Sequence, residues 1–227
     1  MKQISLFLFP VLLAGALFFS CKNDATYSKT TANAGPAPDT VRIDPVPAEG
    51  AVPFSIVEGA LYWSAKKAIG KAHNGTITLA GGELMVNRGR LVGGQAAFDM
   101  GSIEVTNMND PGEKATLESH LKDKDFFEVR KYPQAQFVID EILPSNLPAF
   151  NWVIRGNLTI KDQTHPVNVP VQLTIDGDEL KAESASFILD RTKWGLKFRS
   201  GLLGTARDKI IEDVVPVSLK VVARRKW

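Results

Sequence analysis

Between Val167 and Ile175 apolar and polar residues alternate without a break. Val167, Val169, Val171, Leu173 and Ile175 fall on one face, and Asn168, Pro170, Gln172 and Thr174 on the other. A period of two marks a strand with one buried and one wet face, which belongs to an antiparallel sheet rather than a parallel one. Pro170 has no N–H to give a ladder, so it predicts an edge, a bulge, or a position turned away from the neighbouring strand. The pattern returns with Ala135, Phe137 and Ile139 in QAQFVID, and with Ala185, Phe187 and Leu189 in ASFIL. Near the C-terminus Val215, Val217, Leu219 and Val221 share a face. Turn residues separate the runs at AGGE (80–83), NRGR (87–90), KDQTHP (161–166) and DGDE (176–179), and His73 and His165 fall beside the turn signals Asn74-Gly75 and Pro166. Short strands punctuated at this spacing predict an all-β sandwich or barrel.

One segment breaks the alternation. PGEKATLESHL, residues 111–121, predicts a short helix with Ala115, Leu117 and Leu121 turned inward. It runs into HLKDKDFFEVRKYP, residues 120–133, where Phe126 and Phe127 stand side by side among charges. Asp125 and Glu128 are spaced as a capping box, and Tyr132-Pro133 demands an extended exit. An aromatic pair on a loop beside a helix is placed to line or cap the interior. For at least one ring the plainer role of plugging the core stays open.

The chain opens with MKQISLFLFPVLLAGALFFSC. Lys2, an apolar run and a small residue before Cys21 form the three regions of a secretory signal, so residues 1–20 are read as a leader and excluded from the fold. The run is shorter than the ~20 apolar residues of a spanning helix and contains Pro10. LFFSC resembles a bacterial lipoprotein signal, which implies lipidation of Cys21 and membrane attachment through N-terminal acylation. Phe18 departs from the Leu, Val or Ile usual at its position, and Lys22 after the cysteine leans towards an outer-membrane location in the cell envelope. Residues 21–51 are small, polar and proline-rich, a flexible tether, and the folded domain is placed at 52–227.

Composition narrows the chemistry. Cys21 is the only cysteine, so no disulfide can staple the domain. A net charge of +2 with acids and bases interspersed gives no electrostatic case for nucleic acid. The terminal run from Arg224 to Trp227 reads as a solvated tail. His73, His120 and His165 lack the close spacing of metal motifs, so no metal site is expected, and His120 reads as structural, with a hydrogen bond to a ligand head group as the alternative. There is no nucleophile elbow or phosphate loop. SAKK at 64–67 has the S-x-x-K spacing but lies in a predicted strand without its partner motifs. Nothing calls for a cofactor or for catalysis.

HLKDKDFFEVRKYPQAQF resembles the signature of the YceI-like family, and WSAKKAIGKAHNGTITLAGGEL, IRGNLTIKDQTHPVNVPV and RTKWGLKF are similar to further stretches of it in order and spacing. The resemblance runs from about residue 53 to 223. It implies a lipocalin-like, extended antiparallel β-barrel of about eight strands, with a short helix and loop between strands, around an apolar tunnel. It also implies an exported binder or carrier of a long amphiphile such as a polyisoprenoid, an isoprenoid quinone or a fatty-acid derivative. The inward residues expected to contact that ligand are Phe98, Met100, Phe126, Phe127, Phe137, Ile139, Leu158, Ile160, Phe187 and Trp194. A carbohydrate-binding β-domain and a ligand-free adhesion or stress scaffold are the alternatives, and a homodimer remains open.

Overall fold

The computed structural model describes residues 48–227. The leader, Cys21 and the tether as far as residue 47 lie outside the described residues.

The elements in chain order are β1 Val52–Lys66, β2 Ala72–Asn87, β3 Arg90–Asp99, β4 Glu104–Val105, α1 Pro111–Lys122, β5 Gln134–Pro144, β6 Trp152–Ile160, β7 Gln163–Asp176, β8 Glu179–Ser184, β9 Phe187–Asp190 and β10 Val214–Arg225. Eight of the strands pair in the order β1-β10-β8-β7-β6-β5-β3-β2, and pairing of β1 with β2 closes the ring. Every pairing between these strands is antiparallel. Closure removes the long edges that an open sheet would expose. The short β4 adds to β2, and β9 lies beside β10 beyond the end of β8. This is the lipocalin-like eight-stranded barrel with one helix that the sequence implied.

Alternation sets what fills it. Val167, Val169, Val171 and Leu173 of β7 are buried while Asn168, Gln172 and Thr174 are exposed. Some turn signals prove to be strand interior. AGGE does not end a strand: β2 runs through it, with the register slipping between Leu79 and Gly81. At Gly82, φ is +153° and a β-carbon would meet Ala96 of β3, so the bulge requires glycine. His73 and Asn74-Gly75 lie within β2, and His165 sits in β7 opposite Leu158. Ala185 falls outside the strands, between β8 and β9. Arg224 and Arg225 end β10 and reach Glu179 (3.4 Å) and Asp178 (3.6 Å), so the first half of the terminal run is strand rather than tail.

The break between β8 and β9 has a cause in β7. The Ala185 amide donates to the Pro170 carbonyl, so the backbone of Pro170 faces the β8–β9 side. Pro166, four residues earlier on the same strand, presents its backbone to the same side. Both positions lack the N–H that a continuous neighbour would need. β8 pairs with β7 only as far as Val171–Ser184, and β9 pairs with β10.

α1 begins as its sequence asks. The Asp110 carboxylate accepts from the Glu113 amide at 2.8 Å, and Pro111 occupies the first turn. The cap is therefore Asp110, and the Asp125–Glu128 pair is no capping box: both residues lie past the helix, with Glu128 at φ +49°. Leu117 and Leu121 are half-buried, whereas Ala115 faces solvent. The Glu118 carboxylate accepts from the Val105 amide at 2.8 Å and ties the helix to β4.

Close strand contact over glycine gives a test. A β-carbon at Gly156 would run into the Val138 carbonyl and the Phe137 ring, while one at Gly93 would meet nothing. Gly156→Ala should lower unfolding free energy by about 1–3 kcal/mol, and Gly93→Ala should leave it nearly unchanged, both read by urea denaturation.

Candidate functional site: the barrel lumen

The inward faces enclose two adjoining chambers of about 80 and 130 Å³ that share Leu61, Phe98, Leu158 and Leu189 as a common waist. Phe137, Ile139 and Phe187 line the narrower chamber. Met100, Phe126, Phe127, Ile160 and Trp194 line the wider one. With Phe98 and Leu158 at the waist, the ten residues expected to contact the ligand all line the chambers, whereas Ala115 of α1 does not turn inward. The walls are apolar except for Gln95 in the narrower chamber and Trp63 and Arg191 in the wider. Each chamber exceeds several-fold the ~10–15 Å³ that one water requires, yet such walls give water few partners.

The helix and its loop close the wider chamber. Backbone hydrogen bonds fold the loop after α1: the Phe126 and Glu128 amides donate to the Asp123 carbonyl and the Phe127 amide to Leu121. Lys161 Nζ donates to the Phe126 carbonyl at 3.2 Å and fastens the loop to the β6–β7 turn. Phe126 is buried and Phe127 half-buried, so the aromatic pair among charges is held inward by main-chain geometry. His120 stands edge-on to Phe126 and Phe198, with ring centroids 5.1 and 4.9 Å away, and its Nε2 lies 3.6 Å from Asp125. These rings join the α1 loop to the segment after β9.

That segment is organised around Arg191, which sequence reasoning left out. Its guanidinium is buried (6% exposed), and all five N–H groups are used. Nε donates to the Glu212 carbonyl (3.1 Å), Nη1 to the carbonyls of Leu196 and Phe198, and Nη2 to the Ile211 carbonyl and the Asp213 carboxylate (both 2.9 Å). Ser200 Oγ donates to the other Asp213 oxygen at 2.8 Å. Burial lowers the Arg191 pKa from its ordinary value, and Asp213 and Asp190 oppose that shift. The residue is a post on which residues 196–213 are hung.

Trp194, 2% exposed, lies beside the gap between β7 and β9. Its Nε1 donates to the Leu158 carbonyl at 3.0 Å, and His165 stands edge-on to it at 5.3 Å. Trp63 and Leu61 were also missed as wall residues. The signal was present in ALYWSAK, where Leu61, Trp63 and Ala65 alternate with polar neighbours. Among the described residues no group of three or more His, Cys, Asp or Glu side chains could hold a metal ion.

A closed antiparallel barrel with an apolar lumen is the lipocalin-like architecture. The YceI-like domain model matches residues 46–223, and the chain belongs to that family. It is 30% identical over 83 residues to a UPF0312 protein, YE1254, of Yersinia enterocolitica; the match covers 37% of this chain and 42% of that protein. Among solved structures it resembles BcnA of Burkholderia cenocepacia, with a TM-score of 0.54 at 19% identity over 72% of this chain and 95% of that one. It also resembles a polyisoprenoid binding domain from Saccharophagus degradans implicated in plant cell wall breakdown. There the TM-score is 0.53 at 12% identity, covering 77% of this chain and 99% of that one. At these identities both neighbours speak to the fold.

Arg191→Met should cost about 3–5 kcal/mol, because it leaves the partly buried Asp213 carboxylate without its cation and orphans the backbone carbonyls. Hydrogen exchange should show protection lost across residues 196–213 before the barrel strands.

Proposed function

We propose that this protein binds one long apolar amphiphile along the lumen and serves as a binder or carrier rather than a catalyst. The observation that carries the reading is the pair of adjoining chambers with nearly wholly apolar walls. Unfilled apolar volume on this scale would weaken a purely structural core by several kcal/mol, on the order of 20 cal/mol per Å³. A hydrocarbon chain turns that weakness into affinity, at about 0.8 kcal/mol for each methylene buried. Ten methylenes give a gross gain of about 8 kcal/mol, enough to outlast ordinary association costs.

Membership of the YceI-like family and a fold shared with a polyisoprenoid binding domain support a lipid as the ligand. The candidates are a polyisoprenoid, an isoprenoid quinone or a fatty-acid derivative. The leader-like N-terminus and Cys21 support export and an acyl anchor in the cell envelope. A sugar-stacking platform is not favoured, since Trp194 is buried against Leu158 and His165 rather than presented at the surface.

Native mass spectrometry of the purified protein, followed by organic extraction, tests the reading. A stoichiometric adduct releasing a long-chain isoprenoid or acyl compound is expected. A mass that stays unliganded after incubation with quinones, polyprenols and fatty acids would overturn it. Leu158→Trp should obstruct the waist and weaken binding of long chains at least about tenfold, a loss equal to fewer than two methylenes. Chains short enough for one chamber should be affected less. Phe127→Ala should weaken lipid affinity in titration calorimetry; a change in stability alone would make this ring simply core.

A further inference from the structure

Among the described residues, two buried side-chain nitrogens have no hydrogen-bond partner: Trp63 Nε1 and His73 Nδ1. Trp63 lines the wider chamber, and His73 lies beyond its lining residues on the adjacent strand. Trp63 pairs with Gly75 and Ala65 with His73 across β1 and β2. Directly opposed residues share a face, as do residues two apart on one strand, so the indole and the imidazole leave the same side of adjacent strands. Trp63 and Ala65 line the wider chamber, which makes this the inward side.

The backbone is shaped to keep the indole there. A β-carbon at Gly75 would run into the Glu104 carbonyl oxygen of β4 and sit 2.5 Å from Trp63 Cε2, so glycine admits both the close approach of β4 and the ring lying across β2. The other indole of this chamber, Trp194, has its acceptor in the Leu158 carbonyl. An unpaired N–H in an apolar interior is destabilising, and native proteins nearly always supply it with a partner. Among the described residues nothing does so at Trp63.

The chamber also defines what that partner cannot be. Among the described residues Arg191 is the only charged one in its wall, and its N–H groups are all committed to protein oxygens, with Asp213 balancing its charge. A phosphate or carboxylate drawn inside would find no free cation, and an unpaired buried charge is strongly disfavoured.

We propose that the ligand carries an uncharged oxygen, a carbonyl or a hydroxyl, that accepts a hydrogen bond from Trp63 Nε1 in the wider chamber. The chain then runs past Leu158 into the narrower chamber. This rests on the lumen being the binding site, and it adds the ligand's head-group chemistry, its direction, and Trp63 as a specificity-determining residue.

The test compares three probes of equal chain length by titration calorimetry at pH 8: a long-chain 2-ketone, the alkane, and the fatty-acid carboxylate. The ketone should bind roughly five- to tenfold more tightly than the alkane, the net worth of one hydrogen bond. The carboxylate should bind more weakly than the ketone. Trp63→Phe keeps an aromatic ring and removes the donor, so the ketone-to-alkane ratio should fall to about one while alkane binding persists. That persistence also reports that the variant is folded. A ratio unchanged in Trp63→Phe would overturn the Trp63 assignment. A wild-type carboxylate binding as tightly as the ketone would overturn the uncharged head group without any variant. If none of the probes binds wild-type protein, the lumen reading itself fails and this inference with it.

Discussion

A strand cannot choose where every side chain goes: successive residues must point to opposite faces. Closing eight such strands into a ring converts that constraint into an inside and an outside. The rest of this protein depends on the inner set being apolar but not large enough to meet across the middle. Aromatic residues point inward at Phe98, Phe137 and Phe187, yet glycine occupies inward positions beside the rings, at Gly75 under Trp63 and at Gly156 against Phe137. The rings therefore lie along the wall instead of crossing the lumen. A core packed for stability alone would interdigitate large and small residues until the space closed. Here the same pairing leaves the chambers open.

An open lumen moves the burden of stability to its ends. At the wider chamber, two connections that could have been loose are held by polar groups bonded to the protein itself. The α1 loop is fastened by backbone bonds to Asp123 and Leu121 and by Lys161 on the Phe126 carbonyl. The segment from 196 to 213 is gathered around one guanidinium. The His120, Phe126 and Phe198 rings then join the two, with Phe126 and Phe198 centroids 5.3 Å apart. Such an arrangement commits the hydrogen-bonding capacity of these two connections to the protein while their aromatic rings form part of the wall. The charged residues around the Phe126-Phe127 pair are thus the scaffold of an apolar surface.

Alternation was the most legible feature of the sequence, because a strand with one wet face states its own parity. The inward phase of β5, β7, β9 and β10 follows directly from it. α1 was legible from Pro111 and the spacing of Leu117 and Leu121. The failures share a physical origin. Gly81-Gly82 and Asn74-Gly75 are turn-like as local sequence, but in the barrel glycine serves a bulge and a close ring contact, which only the neighbouring strand reveals. The Asp125–Glu128 spacing fits a cap, yet no helix follows it. Arg191 was hidden because its partners are backbone carbonyls far along the chain, and carbonyls carry no signal in side-chain identity. The ligand contacts proposed from the sequence all reached the lumen wall, whereas Trp63 escaped notice in a strand whose polar neighbours drew attention to SAKK instead.

The two indoles of the wider chamber show how far geometry alone can separate fold from function. Both belong to the same wall and both bury a donor. Trp194 lies where the prolines of β7 leave the sheet unpaired, and its N–H returns to the Leu158 carbonyl, so its whole capacity is absorbed by the barrel. Trp63 lies within the stretch of β1 that pairs with β2 from Ala60 to Lys66, and among the described residues its indole nitrogen has no acceptor. A phenylalanine would cover the same wall without burying a donor. The use of tryptophan at 63 is therefore explained by something the barrel does not itself contain, whereas tryptophan at 194 is explained by the barrel.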